Sequence, residues 1–395
     1  MNDEGPPGGR HSRRRAHLIA YGVTFVVALL AIPILTIVGV QALLDSRDGE
    51  VIDPVLDPEL PGYQALVSPS PTLAVVHTDP SGALVGASML ALAGEGDAAA
   101  GGSVLLVPPA TLATVPDIGA LTLEYVQNLN GTESTHSLME WVLGIGIDDV
   151  VEMGHGTWAD LVEPLGGLQL VNPDDLHGGD GSVVFPSGEL ELAPDDVGPY
   201  LSILEPGENP LNRVLRQELV WDAWLAALAE HPDDVAFSGE QDQGLARFVP
   251  AIAAGASRIE TLPVTVDAAV PPPGEPILFH PDDEAIAALV PEIVPFPAGA
   301  RPGERPLVRV LDGSARAELI PTAVRQVAVA GGQVVMIGNT DEFGVATTEI
   351  RFAAAELEPF ATSVADTLGV GIVERVEHID DNAELVIVLG EDYQG

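Results

Sequence analysis

The sequence predicts an α/β protein with a single N-terminal transmembrane helix, a layered α/β domain and a small C-terminal βαββαβ domain. Three observations carry this prediction. A run of 23 residues from Leu18 to Val40 has no charged side chain. Short uninterrupted apolar runs alternate with helically spaced ones over residues 71–300. From Leu307 onward, strand and helix patterns follow the split βαβ order.

The first element is the span. A hydrocarbon layer about 30 Å thick takes about 20 helical residues, so residues 18–40 are long enough to cross it. Arg10, Arg13, Arg14 and Arg15 lie before the run, and Asp45, Arg47, Asp48, Glu50 and Asp53 follow it. Flanking cations stay on the cytoplasmic side, which makes residues 1–17 a cytoplasmic basic tail and places the rest outside a plasma membrane crossed once. A cleaved signal peptide is the competing reading. Its apolar core would be shorter, roughly 7–15 residues, and would end on a small-x-small site that is not evident here. Pro33 is tolerable inside a membrane helix. Residues 41–70, containing DPVLDPELPG, read as an extracytoplasmic stalk.

Charge then bounds what the outer part can bind. There are 59 acidic residues against 16 basic ones, every basic residue is arginine, and the net charge is −43. Such a surface repels phosphate backbones, so nucleic acid is excluded as a partner. With no cysteine there is no disulfide, zinc–thiolate site or thiol nucleophile.

Within the layered domain, LAVV (73–76), VLLV (104–107), LQLV (168–171) and VVF (183–185) read as strands, several of them buried on both faces. Residues 137–143, 158–165 and 213–228 have helical spacing, clearest in the last, with apolar residues at 214, 215, 219, 220, 224 and 225. Pro271–Pro273 with Gly274, and the breaker-rich stretch from Pro295 to Pro306, separate this unit from the tail. The tail reads LVRVLDG (strand), AELIPTAVRQVAVAGG (helix), QVVMIGN and TEIRF (strands), ELEPFATSVADTLG (helix) and ELVIVLG (strand).

Several motifs have a bland reading. His231-Pro-Asp-Asp and His280-Pro-Asp-Asp are expected at helix first turns, where proline and acids are favourable, rather than at a metal. NPDDLHGGDGS (172–182) lacks the alternating oxygen ligands of a calcium loop and reads as a solvated turn. Ser88 reads as a strand residue, and Trp141, Trp158, Trp221 and Trp224 as packing residues. No G-x-S-x-G, phosphate-loop or H-E-x-x-H signal occurs.

The tail resembles the C-terminal domain of LytR-CpsA-Psr proteins through VRVLDGS (308–314), TEIRF (348–352) and VIVLGEDY (386–393). Residues 71–228 resemble that family's main domain through LTLEY (121–125), LGIGIDDVVEM (143–153), WADLVEPLGGLQL (158–170) and NRVLRQ (212–217). The resemblance implies a domain with a central mixed sheet over 71–300 and a LytR C-terminal-like domain over 307–395. It also implies a phosphotransferase that moves a glycopolymer from a polyprenyl diphosphate carrier to peptidoglycan, usually with a divalent metal such as magnesium.

The arginines that this chemistry needs are largely replaced. Where the family places Pro-Arg-Asp, this chain has Pro108, Pro109 and Ala110. Where a metal-binding aspartate is expected, it has Val85, Gly86, Ala87 and Ser88. Alternate arginines after a tyrosine are missing from Tyr200, Leu201, Ser202, Ile203 and Leu204, and Pro210 stands in place of an aspartate. What remains as a candidate diphosphate-binding set is Arg213, Arg216 and Gln217. Between residues 48 and 300 the cations are Arg213, Arg216, Arg247 and Arg258 alone. Losing one transition-state donor costs roughly a hundred- to thousandfold in rate, so the expectation is a degenerate member with no assigned catalytic residue, binding polyprenyl-phosphate lipid, envelope glycopolymer or peptidoglycan without efficient transfer. Two alternatives stand beside it. One is an active transferase holding the diphosphate with Arg213 and Arg216 and a metal with an acid such as Asp79 or Asp117. The other is a transcriptional regulator, which the outward-facing acidic surface disfavours. Arg213 and Arg216, three apart on a helix, could equally be ordinary surface ion-pair partners.

Overall fold

Apolar continuity decides the middle of the first sheet. A computed structural model describes residues 55–94, 101–237, 243–266, 276–379 and 383–395, beginning with a short strand β1 (Gln64–Leu66). Then come β2 (Thr72–Thr78), β3 (Leu84–Leu92) and β4 (Gly101–Val107), every residue of which is buried. A hairpin of β5 (Leu112–Val115) and β6 (Gly119–Thr122) leads into helices α1 (Leu123–Asn130) and α2 (Thr132–Leu143). After them come β7 (Asp149–Met153) and α3 (His155–Val162). Two ribbons pair β8 (Leu168–Asn172) with β11 (Gly188–Leu192), and between them β9 (Leu176–His177) with β10 (Val183–Phe185). The unit continues with α4 (Pro194–Ser202), α5 (Pro210–Glu230), α6 (Gly244–Ala253), β12 (Ala256–Thr261), the pair β13 (Val264–Val266) and β14 (Phe279–Pro281), and α7 (Asp283–Ile293).

The central sheet is mixed, in the order β12-β4-β3-β2-β7, with β3 antiparallel to both its neighbours and the two outer pairs parallel. Alternation along each strand sends Leu73, Val75, Leu90, Val104 and Leu106 to one face, against α3, α4, α5 and α6. Ala74, Val76, Met89, Leu105 and Val107 go to the other, against α1, α2 and α7. The result is three layers, and a strand covered on both sides must read as a continuous apolar run.

The strands at 168–171 and 183–185 form, but in the ribbons. Gln169 and Val171 face outward from β8, and Val183 and Val184 are exposed, so neither run is buried on both faces. Pro164 converts the end of the helix expected over 158–165 into a 3-10 turn. Asp282 caps α7, accepting from the Ala285 amide at 3.1 Å, which is the role foreseen for the second His-Pro-Asp-Asp. The first differs: His231 lies at the C-terminal end of α5, 3.5 Å from Asp234.

Trp158, Trp221 and Trp224 are fully buried between the sheet and its helices, with ring centroids 5.0–5.8 Å apart, whereas Trp141 is 40% exposed. His77 joins this cluster, stacked on Trp158. The Trp158 indole donates to His77 Nδ1 at 3.3 Å, so the ring proton sits on Nε2, 3.1 Å from Ser88 Oγ. Burial pushes the His77 pKa down to about 3, so the native ring is neutral. An unfolded imidazole takes up a proton near pH 6.5, and this term therefore removes stability as pH falls below 6.5 and saturates near 3. Between pH 7 and pH 5 the expected loss from His77 is about 2 kcal/mol. Urea unfolding of His77→Gln at the two pH values checks this: its acid destabilisation should be smaller by that amount, and an unchanged difference would refute it.

The tail forms a second mixed sheet from β15 (Leu307–Asp312), β16 (Gln333–Asn339), β17 (Glu349–Phe352), β18 (Ile372–Arg375) and β19 (Leu385–Leu389). Helices α8 (Ile320–Val329) and α9 (Glu358–Leu368) bury Val308, Val310, Ile350, Phe352, Leu385 and Ile387 on one of its faces. The order is β1-β16-β15-β19-β17-β18. Two strands exceed the expected βαββαβ pattern: β18, and β1 from the segment read as stalk. Gly62 N donates to Thr340 O at 2.9 Å, and the Asn339 amide holds the carbonyls of Pro58 and Leu60 at 2.8 and 2.7 Å. Both sheets lie in the compact unit Leu56–Gly395. The predicted span at 18–40 and the connector at Pro271–Pro273 lie outside the described residues, among which no helix is long and apolar enough to cross a membrane.

Candidate functional site

Four strands of the central sheet, β12, β4, β2 and β7, run in one direction, and open α/β sheets bind ligands beyond the carboxyl ends of such strands. That edge carries Asp79 after β2, Pro108–Ala110 after β4, Gly154 and His155 after β7, and the start of β3 at Leu84 and Val85. Helix α5, capped by Asn209 and carrying Pro210 in its first turn, brings all three candidate residues to it.

Gln217 is buried and donates from Nε2 to Val85 O at 2.8 Å. Its amide lies so close to Gly86 that a Cβ there would meet it at 2.6 Å and oblige the amide to shift. Arg216, 3% exposed, donates from Nη1 to Glu208 Oε1 and from Nη2 to Ile203 O, both at 2.5 Å. Glu208 also accepts from the Glu205 amide at 2.8 Å. This guanidinium is therefore spent on holding the 203–208 turn. Tyr200, one turn back in α4, donates to Asn172 Oδ1 at 3.0 Å, and burial pushes its pKa up to about 12, with Arg216 opposing.

Arg213 differs. It is 8% exposed, and among the described residues no hydrogen bond or ion pair reaches its guanidinium. Burial lowers its pKa, Glu124 raises it, Arg216 lowers it further and Glu208 raises it. Arginine keeps its charge in such surroundings, so a buried cation stands here without a bonded counter-ion. The Glu124 amide donates to Pro109 O at 3.0 Å, which ties the Pro108–Ala110 segment to the same neighbourhood. Of the segments where further arginines were expected, 200–204 touches Arg216 through the Ile203 carbonyl, and Pro108–Ala110 is tied to Glu124, whose charge reaches Arg213.

One pair escaped sequence reasoning. His155 Nε2 lies 2.7 Å from Ser202 Oγ, and Gly198 makes room for the ring, since a Cβ there would come within 2.5 Å of it. Burial lowers the His155 pKa while the Asp79 charge raises it. The available signal was the placement of Gly154-His155 where a strand gives way to a helix, visible only once 149–153 is recognised as a strand.

The acids proposed for a metal do not assemble. Asp79 Oδ1 accepts from the Ser81 amide and hydroxyl at 2.8 and 2.6 Å and from the Ala83 amide at 3.1 Å, and the Ser81 hydroxyl is the main cause of its lowered pKa. Asp117, with φ 62°, occupies the β5–β6 turn. Among the described residues no three His, Asp or Glu side chains are grouped to hold a metal. In the loop 172–182, Asp180 takes the Ser182 amide and hydroxyl, and Asp175 takes the Ser187 amide, so these carboxylates close turns. Beside that loop an open groove of about 1010 Å³ is lined by Val184, Pro199, Ile203, Leu204 and the His177–Glu205 pair, 2.9 Å apart. Ile203 lines the groove, and its carbonyl accepts from Arg216.

Solved structures with partial similarity include B. subtilis TagV, 19% identical, with a TM-score of 0.44 and 56% of this chain and 96% of that one covered. B. subtilis TagT is 16% identical, with 62% and 93% covered and a TM-score of 0.43. A LytR-Csp2A-Psr enzyme from Actinomyces oris is 18% identical, with 60% and 96% covered and a TM-score of 0.43. No curated protein matches the chain. Residues 306–393 match the family model described as LytR cell envelope-related transcriptional attenuator. That match spans the second sheet from β15 to Tyr393, so the similarity to that family is carried by the tail of this chain.

Proposed function

We propose that this chain is a plasma-membrane-anchored, extracytoplasmic cell-envelope protein of the LytR-CpsA-Psr type that binds polyprenyl-linked glycan at the sheet edge without transferring it efficiently. The sequence motifs over 71–228 and the LytR C-terminal match support the family reading. The observation that carries the functional part is the unequal fate of the two arginines. Arg216 is neutralised by Glu208, leaving Arg213 as the cation at this edge with no bonded partner among the described residues. One guanidinium can hold a phosphate, whereas releasing a diphosphate demands several donors aimed at the charge that develops on it.

A second reading, an active phosphotransferase, is supported by the proximity of Arg213 and Arg216, which lie within electrostatic reach of each other on α5. Purified full-length protein in detergent, given a glycan on a polyprenyl diphosphate and a peptidoglycan acceptor, separates the two. Retention of the lipid without labelled acceptor is expected. Arg213→Ala should weaken retention at least about tenfold, the worth of one charge-assisted hydrogen bond. Transfer that disappears in Arg213→Ala would replace the first reading with the second.

A further inference from the structure

Asp79, His155 and Ser202 come to one corner of the parallel edge. Strands β2 and β7 pair in parallel, so the residues that follow them, Asp79 and His155, leave the sheet side by side. Helix α3 begins at His155, and α4 packs against it so closely that a Cβ on Gly198 would come within 2.5 Å of the His155 ring. One turn on, at the last residue of α4, Ser202 Oγ meets His155 Nε2 at 2.7 Å. The same hydroxyl can donate to Gly198 O at 2.9 Å, so its hydrogen can turn from a carbonyl to an imidazole without moving the oxygen. Asp79 is fixed through Oδ1 by the Ser81 and Ala83 amides and the Ser81 hydroxyl, and its charge reaches the His155 ring. Hydroxyl, imidazole and carboxylate in that order are the groups that turn a serine oxygen into a nucleophile.

The surroundings suit an acyl group. His155 and Ser202 are both half-buried, so a small molecule can reach them. Burial lowers the His155 pKa and Asp79 opposes it only in part, which leaves the imidazole a free base at neutral pH. No side chain caps α3, and glycines flank the histidine: a Cβ on Gly156 would meet nothing within 4 Å, and one on Gly154 only Thr78 Oγ1 at 3.8 Å. First-turn amides without intrahelical acceptors therefore open onto free space in the same turn as the base, where they can bond an oxyanion. Pro199 and Ile203, on either side of Ser202, line the groove of about 1010 Å³, which offers room for the rest of an ester. The acidic surface disfavours anionic substrates.

We propose that Ser202 and His155 are catalytic residues for hydrolysis of neutral esters with a small acyl group, with Asp79 as a positioning residue for the imidazole. This activity goes beyond lipid retention and does not depend on it. Ser202 Oγ attacks the acyl carbon while its proton passes to His155 Nε2; the bond to the alkoxy oxygen breaks, and that proton leaves with the alcohol. Water then adds to the acyl-serine, giving a proton to Nε2, and the carboxylic acid departs as Oγ regains it. The probes are p-nitrophenyl acetate and a fluorophosphonate, each given to full-length protein in detergent. Mass spectrometry should find the phosphonyl adduct on Ser202, and hydrolysis should rise with pH along a limb centred below the ordinary imidazole value. Ser202→Ala and His155→Gln should each lower hydrolysis about a hundredfold or more. Asp79→Asn should move the limb to still lower pH, because the charge that raises the imidazole is gone, whereas His231→Gln, at an exposed histidine, should change nothing. The chain has no cysteine, so Ser202→Cys places a single thiol in it, and iodoacetamide should alkylate that thiol at least about tenfold faster with His155 present than with His155→Gln. Folded protein that takes no adduct at Ser202, folded Ser202→Ala that hydrolyses the ester at the parental rate, or a thiol indifferent to His155 would overturn the assignment.

Discussion

Replacing Glu208 by glutamine is expected to destabilise the protein by about 3 kcal/mol and to raise its affinity for inorganic diphosphate at least about tenfold. Glu208 and Arg216 are nearly buried, at 11% and 3% side-chain exposure, so the loss leaves a guanidinium that water compensates only in small part. Breaking one partner of such a pair costs more than the pair contributes, because the remaining charge has lost its compensation. The same loss frees Arg216 beside Arg213, and two unpaired cations at one edge form a stronger phosphate site than one. The effects are linked: diphosphate should return part of the lost stability to Glu208→Gln and little to the parent protein, since a ligand that binds only the folded state stabilises it by mass action. Urea unfolding with and without diphosphate measures both. If the variant is destabilised yet indifferent to diphosphate, Arg216 is not positioned to serve that edge.

The second large effect concerns Arg305. This side chain, 8% exposed, donates to Gly144 O at 3.0 Å at the end of α2, to Ala328 O at 2.5 Å at the end of α8, and to Gly332 O at 3.2 Å. Helix ends leave carbonyls without partners, and here one guanidinium satisfies those of two helices belonging to different sheets. Burial pushes its pKa down to about 10, still well above neutrality. Arg305→Leu should cost about 4 kcal/mol, through three carbonyls left wanting at about 1–3 kcal/mol each with partial relaxation. Arg305→Lys should recover part of this, since an ammonium reaches fewer of them. Thermal unfolding that stays within a degree or two of the parent would show that water replaces these bonds freely.

Much of the architecture was legible because its elements state their environment locally. LAVV and VLLV read as doubly buried strands and are, and the 213–228 periodicity marks the core of α5. The tail's order was readable because Gly331, Gly369 and Gly390 punctuate it. What was missed depends on distant partners. DVVEM at 149–153 and ASRIET at 256–261 are short, part-polar edge strands, defined by pairing with β2 and β4 rather than by their own pattern. Strand β1 has three residues in a proline-rich stretch, and only the Asn339 amide and the free edge of β16 make it a strand. The site divides the same way. Arg213, Arg216 and Gln217 could be named from the chain, but their unequal roles could not, because Glu208 and Ile203 lie in a turn whose path is set by α4. The residue types read as ambiguous between ion pair and phosphate clamp, and geometry pairs Arg216 with Glu208 while no hydrogen bond among the described residues reaches Arg213 Nε.

The ribbon of backbone from Pro58 to Leu66, stitched along β16 by Asn339, has a mechanical meaning. Any tug arriving through the preceding residues meets the tail before it meets the layered unit, and meets it as shear across several bonds at once. Were the chain anchored through those residues as proposed, the terminal domain would act like the strain relief on a cable, shielding the arginine-bearing edge from tension.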